Sequence, residues 1–506
     1  MRILKILSVL LAAAILITGC GVRKEPVEEG AVTLKWVVAA PGSKQKDSDK
    51  VWAEFNEKLA EHLPGVKVNI EMIAFDDYAE KWKLMAASGE KVDIAWHGWM
   101  MDYVSEVNQG AYSGLNNLLD EYGQDLKAEL PDWIFEKAMI DGEVYSIPIY
   151  QMATDMRIGI YTQKERAEKY LDADKMRDTF YASPYLTQAG LDQLADYYKA
   201  LKENDELYLG MGGMGFLNFL GFENILSYQL FVDKSTTDFK VYPFYEVPGY
   251  MLNLDARRSW FDEGYIRRDV LSVENPPNAN SLVNGFATWI QHYFVGEEEK
   301  VSNNKENVDI SIIPIEKEHY ISAGASTSAL VIPKNAAHPK EAMQVIDLLN
   351  TEKGKELYNL LVYGLEGTHY TKIDDNTIET IGYIGNDTAR ANYGITKFTI
   401  GNTFHGYATQ ADIEGWNDYI KDDVHANAVV SPVMGFKVNL ENIANEFAQC
   451  EAIFWEYYEP LNSGALENYK SVYEEFTEKL NRAGFQKIVD DVQEQLTKWA
   501  QDNDKL

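Results

Sequence analysis

The chain has 506 residues, 46% of them apolar and 25% charged, with a formal net charge of −32. Those fractions are ordinary for a folded globular protein, which excludes wholesale disorder; an acidic field spread along the chain repels phosphate backbones, which excludes nucleic-acid binding. There are two cysteines, Cys20 and Cys450, too few for a disulfide framework, so stability must come from the core.

In chain order, Arg2 and Lys5 precede an apolar run from Ile6 to Ile17. A bilayer span needs about 20 residues; this run fits the apolar region of a signal peptide instead. Leu16-Ile17-Thr18-Gly19-Cys20 sets small residues before a cysteine and resembles a bacterial lipobox. The resemblance implies that residues 1–19 are cleaved off and that Cys20 carries a lipid. Two or more acyl chains, at about 0.8 kcal/mol per buried methylene, hold a protein stably to a membrane. Residues 20–30 are polar and read as a flexible lipidated tether.

Roughly 475 residues remain, enough for two or three domains. Thr33–Ala40 is a nearly continuous apolar run, as a central parallel strand would be. Trp52, Phe55, Leu59 and Leu63 recur at helical spacing from Ser48 onward, and Pro64-Gly65 ends that helix. Val66, Val68, Ile70 and Met72 alternate as in a second strand. Asp77 with Glu80 makes a capping-box pattern for a helix carrying Tyr78, Trp82 and Met85 and ending at Gly89. Val92–Trp96 reads as a third strand. Strand, helix, strand, helix, strand opens a doubly wound α/β lobe. Further on, Gly142–Pro148 reads as a turn and short strand. Met156–Thr162, Val308–Ile313 and Ala329–Ile332 read as strands, and Pro339–Leu361 as one long helix. The last hundred residues are mostly helical, with Ile443, Phe447, Cys450, Phe454 and Tyr457 on one stripe and Ile488, Val492, Leu496 and Trp499 on another. No internal repeat is present.

Three stretches carry a family resemblance. Ser88-Gly89-Glu90-Lys91-Val92-Asp93-Ile94, Ile140-Asp141-Gly142-Glu143-Val144-Tyr145-Ser146-Ile147-Pro148 and Gly159-Ile160-Tyr161-Thr162-Gln163-Lys164-Glu165 resemble, in order and spacing, segments of the family 1 extracellular solute-binding proteins. Tyr358–Tyr370 and Leu480–Val489 are similar to a subgroup with an extra C-terminal domain of unassigned function. The resemblance implies a type II periplasmic-binding-protein fold: two doubly wound α/β lobes, a multi-strand hinge and a helical C-terminal extension. The first lobe is then expected over residues 31–152 and 320–372, the second over 153–319 and 373–506. It also implies a monomeric lipoprotein of an ABC importer that catalyses nothing, needs no cofactor, delivers its ligand to permease subunits and most often binds a sugar or oligosaccharide.

Ligands of open α/β sheets sit beyond the carboxyl ends of the strands. A sugar site wants flat aromatics plus converging hydrogen-bonding groups. The loop after the first strand offers Lys44 and Gln45; the loop after the third offers His97, Trp99 and Met100. Trp96, still inside the strand, is expected in the core. Tyr150, Gln151, Asp155 and Arg157 lie on a crossing segment, where Asp155 and Arg157 serve equally as ligand groups or as a hinge ion pair. Asn284–Phe294 resembles a family strand that ends in the cleft, which nominates Gln291, His292 and Tyr293; Phe404 is a further candidate from the tail.

Gly210-Met211-Gly212-Gly213-Met214-Gly215 satisfies a dinucleotide pattern but lacks the preceding buried strand that such a site needs. The histidines show no zinc spacing, and Cys450 on an apolar stripe is expected in the core. A secreted glycoside hydrolase needs two carboxylates about 5–10 Å apart. The strand ends here instead carry Trp96-His97, Tyr150-Gln151 and Gln291-His292. A ligand sensor without transport is not separable from an importer component at this level.

Overall fold

The computed structural model describes residues 31–151, 157–206, 211–212, 214–272, 287–293, 309–324, 328–381, 392–409, 412 and 415–506. Cys20, Asp155, much of the glycine-rich run and the side chain of Tyr293 lie outside the described residues.

The first lobe begins as its apolar pattern dictates: β1 (Val32–Ala40), α1 (Ser48–His62), β2 (Val66–Ala74), α2 (Phe75–Ser88) and β3 (Ile94–Gly98). β1 runs parallel to both β2 and β3. Ser328–Val331 returns antiparallel beside β3, and Ile147–Pro148 closes the edge, for a sheet order of β2, β1, β3, Ser328–Val331, Ile147–Pro148. Leu34, Trp36 and Val38 of β1 face one core with Phe55 and Leu59; Val37 and Ala39 face another with Tyr78, Trp82 and Trp96. Both faces are covered, which is why β1 reads as an unbroken apolar run. Trp96 is fully buried, and its indole donates to Ser328 Oγ at 2.7 Å.

Two helices differ from the sequence pattern. α2 starts at Phe75, so Asp77 is inside its first turn and pairs with Lys81 instead of capping. The long helix expected from Pro339 is two, Pro339–Leu349 and Lys355–Tyr363. The chain folds so tightly between them that a Cβ on Gly354 would lie 2.0 Å from the Leu348 carbonyl oxygen, an approach only glycine permits.

The second lobe is a mixed sheet of β4 (Arg157–Gln163), β5 (Thr288–Tyr293) and β6 (Ile310–Pro314). β4 lies between the other two and antiparallel to both, while Met211–Gly212 flanks β5. Its core holds Ile160, Phe180, Leu194, Tyr198 and Trp260. The last helices, α3 (Ala444–Asn462), α4 (Tyr469–Arg482) and α5 (Phe485–Asp502), share a separate core with the hairpin Phe222–Leu226/Leu230–Asp233 and with Phe244, Tyr250 and Leu254. Cys450 is buried there with its thiol 3.8 Å from the Leu480 carbonyl; burial raises its pKa to about 11, so it behaves as a small apolar side chain.

The sequence-based domain limits need one correction. Ile378, Tyr393, Ile395, Ile400 and Tyr407 pack in the first-lobe core, because the Tyr393 and Tyr363 hydroxyls tie this stretch to the Leu361 and Tyr407 carbonyls. The chain returns to the second lobe near residue 429, not 373: Val429–Val430 pairs in parallel with Tyr320–Ile321 of the other crossing segment.

Candidate functional site

The first-lobe candidates separate into structural and available residues. β3 runs two residues past its expected end, so His97 lies within the strand, 1% exposed under Tyr103 and Tyr112. The Tyr112 hydroxyl donates to Glu106, leaving its oxygen to accept from His97 Nδ1 at 3.0 Å. Burial pulls His97 down to about 4, so the ring is neutral and closed to a ligand. Lys44 pairs with Asp49 at 2.6 Å on the surface. Gln45 accepts from the Gly394 amide at 2.7 Å and pins the segment that follows residue 391. Met100 packs half-buried on the second face of the sheet. Tyr150 is 4% exposed, wedged against Phe404 at 4.7 Å and His425 at 5.4 Å, so both it and half-buried Phe404 serve the core. Gln151 is half-buried at the end of that strand. Trp99 stays open, 54% exposed, stacked on Phe75 at 5.5 Å and edged by Trp96 and Phe398. It is an aromatic shelf held from beneath.

On the second lobe, Arg157 is at the start of β4 and donates to the Lys317 carbonyl at 3.4 Å. Gln291 accepts from the Trp289 indole at 2.9 Å. His292 opens onto a cavity of about 500 Å³, within the range of small-molecule sites.

This cavity is built from Ile158 of β4 and His292 of β5, Phe216 and Phe219 of the short helix Met214–Phe219, the hairpin with Phe222, Glu223, Asn224, Tyr228 and Phe231, and the crossing segment with Tyr320, Ser322 and Gly324. α3 adds Trp455 and Tyr458. Its floor is aromatic, with Phe219 stacked on Phe231 at 4.1 Å and Phe216 edge-on to His292 at 5.0 Å. Burial lowers the His292 pKa below its ordinary value, so the ring is neutral at pH 7, and among the described residues its Nδ1 has no hydrogen-bond partner. A buried ring nitrogen in that state is ready to bond a ligand hydroxyl.

The charges around the cavity are matched. Lys234 Nζ is 2.7 Å from Glu316 and stands over the Tyr320 ring at 5.0 Å. Burial pushes the Glu316 carboxyl up, but Lys234 and the Ile158 amide outweigh it and hold the group below its ordinary value. Glu223 accepts from Tyr320 Oη at 2.6 Å, Ser431 Oγ at 2.7 Å and the Ala323 amide at 2.6 Å. An aromatic chamber with hydrogen-bonding groups, in which the charged side chains among the described residues are paired, suits a neutral, hydroxyl-rich molecule.

Of the residues nominated from the sequence, His292 lines this cavity and Trp99 lies outside its lining; Glu223, Tyr228, Trp455 and Tyr458, which line it, were not nominated. One signal was present. Cys450, Phe454, Tyr457 and Leu461 form the buried stripe of α3; Trp455 and Tyr458 fall beside it, where a helix facing only solvent has no use for large aromatics.

Residues 42–356 match the family model described as bacterial extracellular solute-binding protein, and residues 432–501 match a domain of unknown function, DUF3502. A carbohydrate ABC transporter substrate-binding protein of Streptococcus pneumoniae is 25% identical over 470 residues, 90% of this chain and 88% of that one. The solved N-glycan transport solute-binding protein NgtS of Streptococcus pneumoniae superposes with a TM-score of 0.75 at 21% identity, covering 93% of this chain and 99% of that one. FusA of S. pneumoniae, an ABC-transporter substrate-binding protein solved with kestose, gives 0.61 at 16% identity over 93% of this chain and 100% of its own. With the model match extending over more than half its length, the chain belongs to the bacterial extracellular solute-binding protein family.

Proposed function

We propose that this protein is the lipid-anchored, extracytoplasmic binding component of an ABC importer and captures a neutral oligosaccharide for delivery to a permease. The carrying observation is the cavity at the crossing segments, where aromatic faces surround His292 and a set of internally paired charges. Its contents match what a pyranose or furanose ring offers: apolar C–H faces and a rim of hydroxyls. The relatives described as carbohydrate or N-glycan binders support the same class.

The mechanism is a change of shape, not of bonds. One wall of the site is the second lobe with the C-terminal helices; the Trp99 shelf belongs to the first lobe. A ligand that touches both binds the closed form better and shifts the population toward it. The crossing strands confine the motion to a bend, since paired segments must change φ/ψ together. Small-angle scattering should therefore show a smaller radius of gyration when a bound glycan, found by thermal shift across a panel, saturates the protein. An unchanged profile despite tight binding would sink the closing model, and a panel without a single stabilising glycan would sink the carbohydrate reading.

The anchor is the Cys20 thioether, with residues 20–30 as its tether. Cells fed labelled palmitate should label the wild-type chain and leave Cys20→Ser unlabelled. Equal labelling of both would remove Cys20 as the lipid site.

A further inference from the structure

The C-terminal helices do more than buttress the second lobe. On α3, Glu451, Trp455 and Tyr458 are spaced four and three residues apart and so share one face, next to the stripe that α3 buries in its core. That face meets the tip of the hairpin: Ser227 Oγ donates to Glu451 Oε1 at 2.6 Å. The tip itself is a costly conformation. Ser227 and Tyr228 both have positive φ, 45° and 57°, a backbone region that residues with a side chain rarely adopt and that persists only where the surroundings enforce it. The enforcing contacts are the Glu451 bond and the Tyr228 amide donating to Asn224 Oδ1 at 2.9 Å. Their result is to stand the Tyr228 ring against Trp455, centroids 6.1 Å apart and planes at 75°. Both rings border the cavity yet remain 42% and 45% exposed, while Phe219 below them is 7% exposed. Two large aromatics left open in an angled pair, above a buried aromatic floor, describe an outer subsite.

We propose that the C-terminal unit forms the outer wall of the binding cavity. Trp455, angled against Tyr228, grips the later rings of an oligosaccharide whose first ring lies deeper, beside Phe216 and His292. The unit then selects by chain length. This rests on the carbohydrate reading above, and the test separates the two.

The intact chain is titrated calorimetrically with di-, tri-, tetra- and pentasaccharides of malto-, manno-, xylo- and fructo-series, as wild type and as Trp455→Ala, Trp455→Phe and Tyr228→Ala. In a series that wild type binds, Trp455→Ala and Tyr228→Ala should each weaken tetra- and pentasaccharide binding by about tenfold or more, with disaccharide affinity changed less than about threefold. Trp455→Phe should restore most of the loss, and melting temperatures should stay within about 2 °C, because exposed rings leave no core cavity. Equal weakening at every length, or loss tied to a lower melting temperature and not rescued by Trp455→Phe, overturns the outer-wall role. Unchanged binding in both alanine variants overturns it while leaving the carbohydrate reading intact. Wild type binding none of the four series overturns both.

Discussion

Glu223→Ala should destabilise the protein by about 3–5 kcal/mol, because it removes the acceptor on which both crossing segments converge. Glu223 sits on the hairpin, 4% exposed. Its carboxylate takes hydrogen bonds from Tyr320 and Ala323 on one crossing segment and from Ser431 on the other. Alanine takes this acceptor away from three buried donors, and a buried donor left unsatisfied costs about 1–3 kcal/mol. It also strips negative charge from beside two enclosed ammonium groups: Lys137, which reaches the Ser322 carbonyl at 3.0 Å, and Lys437, which reaches the Ala323 carbonyl at 2.6 Å. Glu223→Gln keeps one acceptor oxygen and should lose less. Denaturant unfolding of the intact chain measures both, and an alanine variant within about 1 kcal/mol of wild type would show that the hinge does not hang on this carboxylate. Glu223 also borders the cavity, so under the proposed function a ligand held there would sit against the residue that ties the crossing segments together.

What could be read in advance follows from how local each determinant is. β1, β2 and β3 announce themselves through runs and alternation in adjacent residues, and the observed strands agree to within two residues, β3 ending two residues later than expected. That small slip mattered: it carried His97 from a loop into the core. Trp96 and Cys450 were placed by the same local logic, one inside a strand and one on a helical stripe. Tyr150 is a candidate from a crossing segment and Phe404 one from the tail, but their burial depends on each other and on His425, partners more than 250 residues from Tyr150 in sequence. The second-lobe wall was harder still. Glu223 acquires its role from Tyr320, Ala323 and Ser431, and Trp455 acquires its own from a hairpin tip at residues 227–228. Neither pairing leaves a periodic trace. The helix break at Asn350–Gly354 escaped for a related reason: the apolar rhythm continues across it, and only a close backbone approach requires the glycine.

The lysines at the hinge give the last expected result, a pH dependence of stability. The Lys437 side chain is half-buried, but its ammonium is enclosed between the Ala323 and Phe436 carbonyls. Burial lowers its pKa to about 7, and repulsion from Lys137 adds to the effect while Glu223 opposes it. Lys137 is lowered by burial to about 8, again against the pull of Glu223. A lysine whose folded pKa lies below its unfolded value of 10.5 binds fewer protons folded than unfolded across the interval between the two. Unfolding then takes up protons, so stability rises with pH through that interval. The penalty is in full force below about 7 and has been relieved by about 10.5. Other groups titrate in the same range, so the informative quantity is the difference between wild type and Lys437→Met, which keeps the side-chain length and cannot ionise. From pH 7 to pH 10 the stability of wild type relative to Lys437→Met should rise by on the order of 3 kcal/mol. At pH 7 the methionine variant should match wild type within about 1 kcal/mol, since relief of a buried charge offsets the two carbonyls left without a donor. A relative stability that stays flat across that range would mean that Lys437 keeps its ordinary pKa, with water reaching the ammonium. A relative stability that falls would mean that the Glu223 carboxylate wins, and that the hinge holds a true ion pair in place of a strained cation.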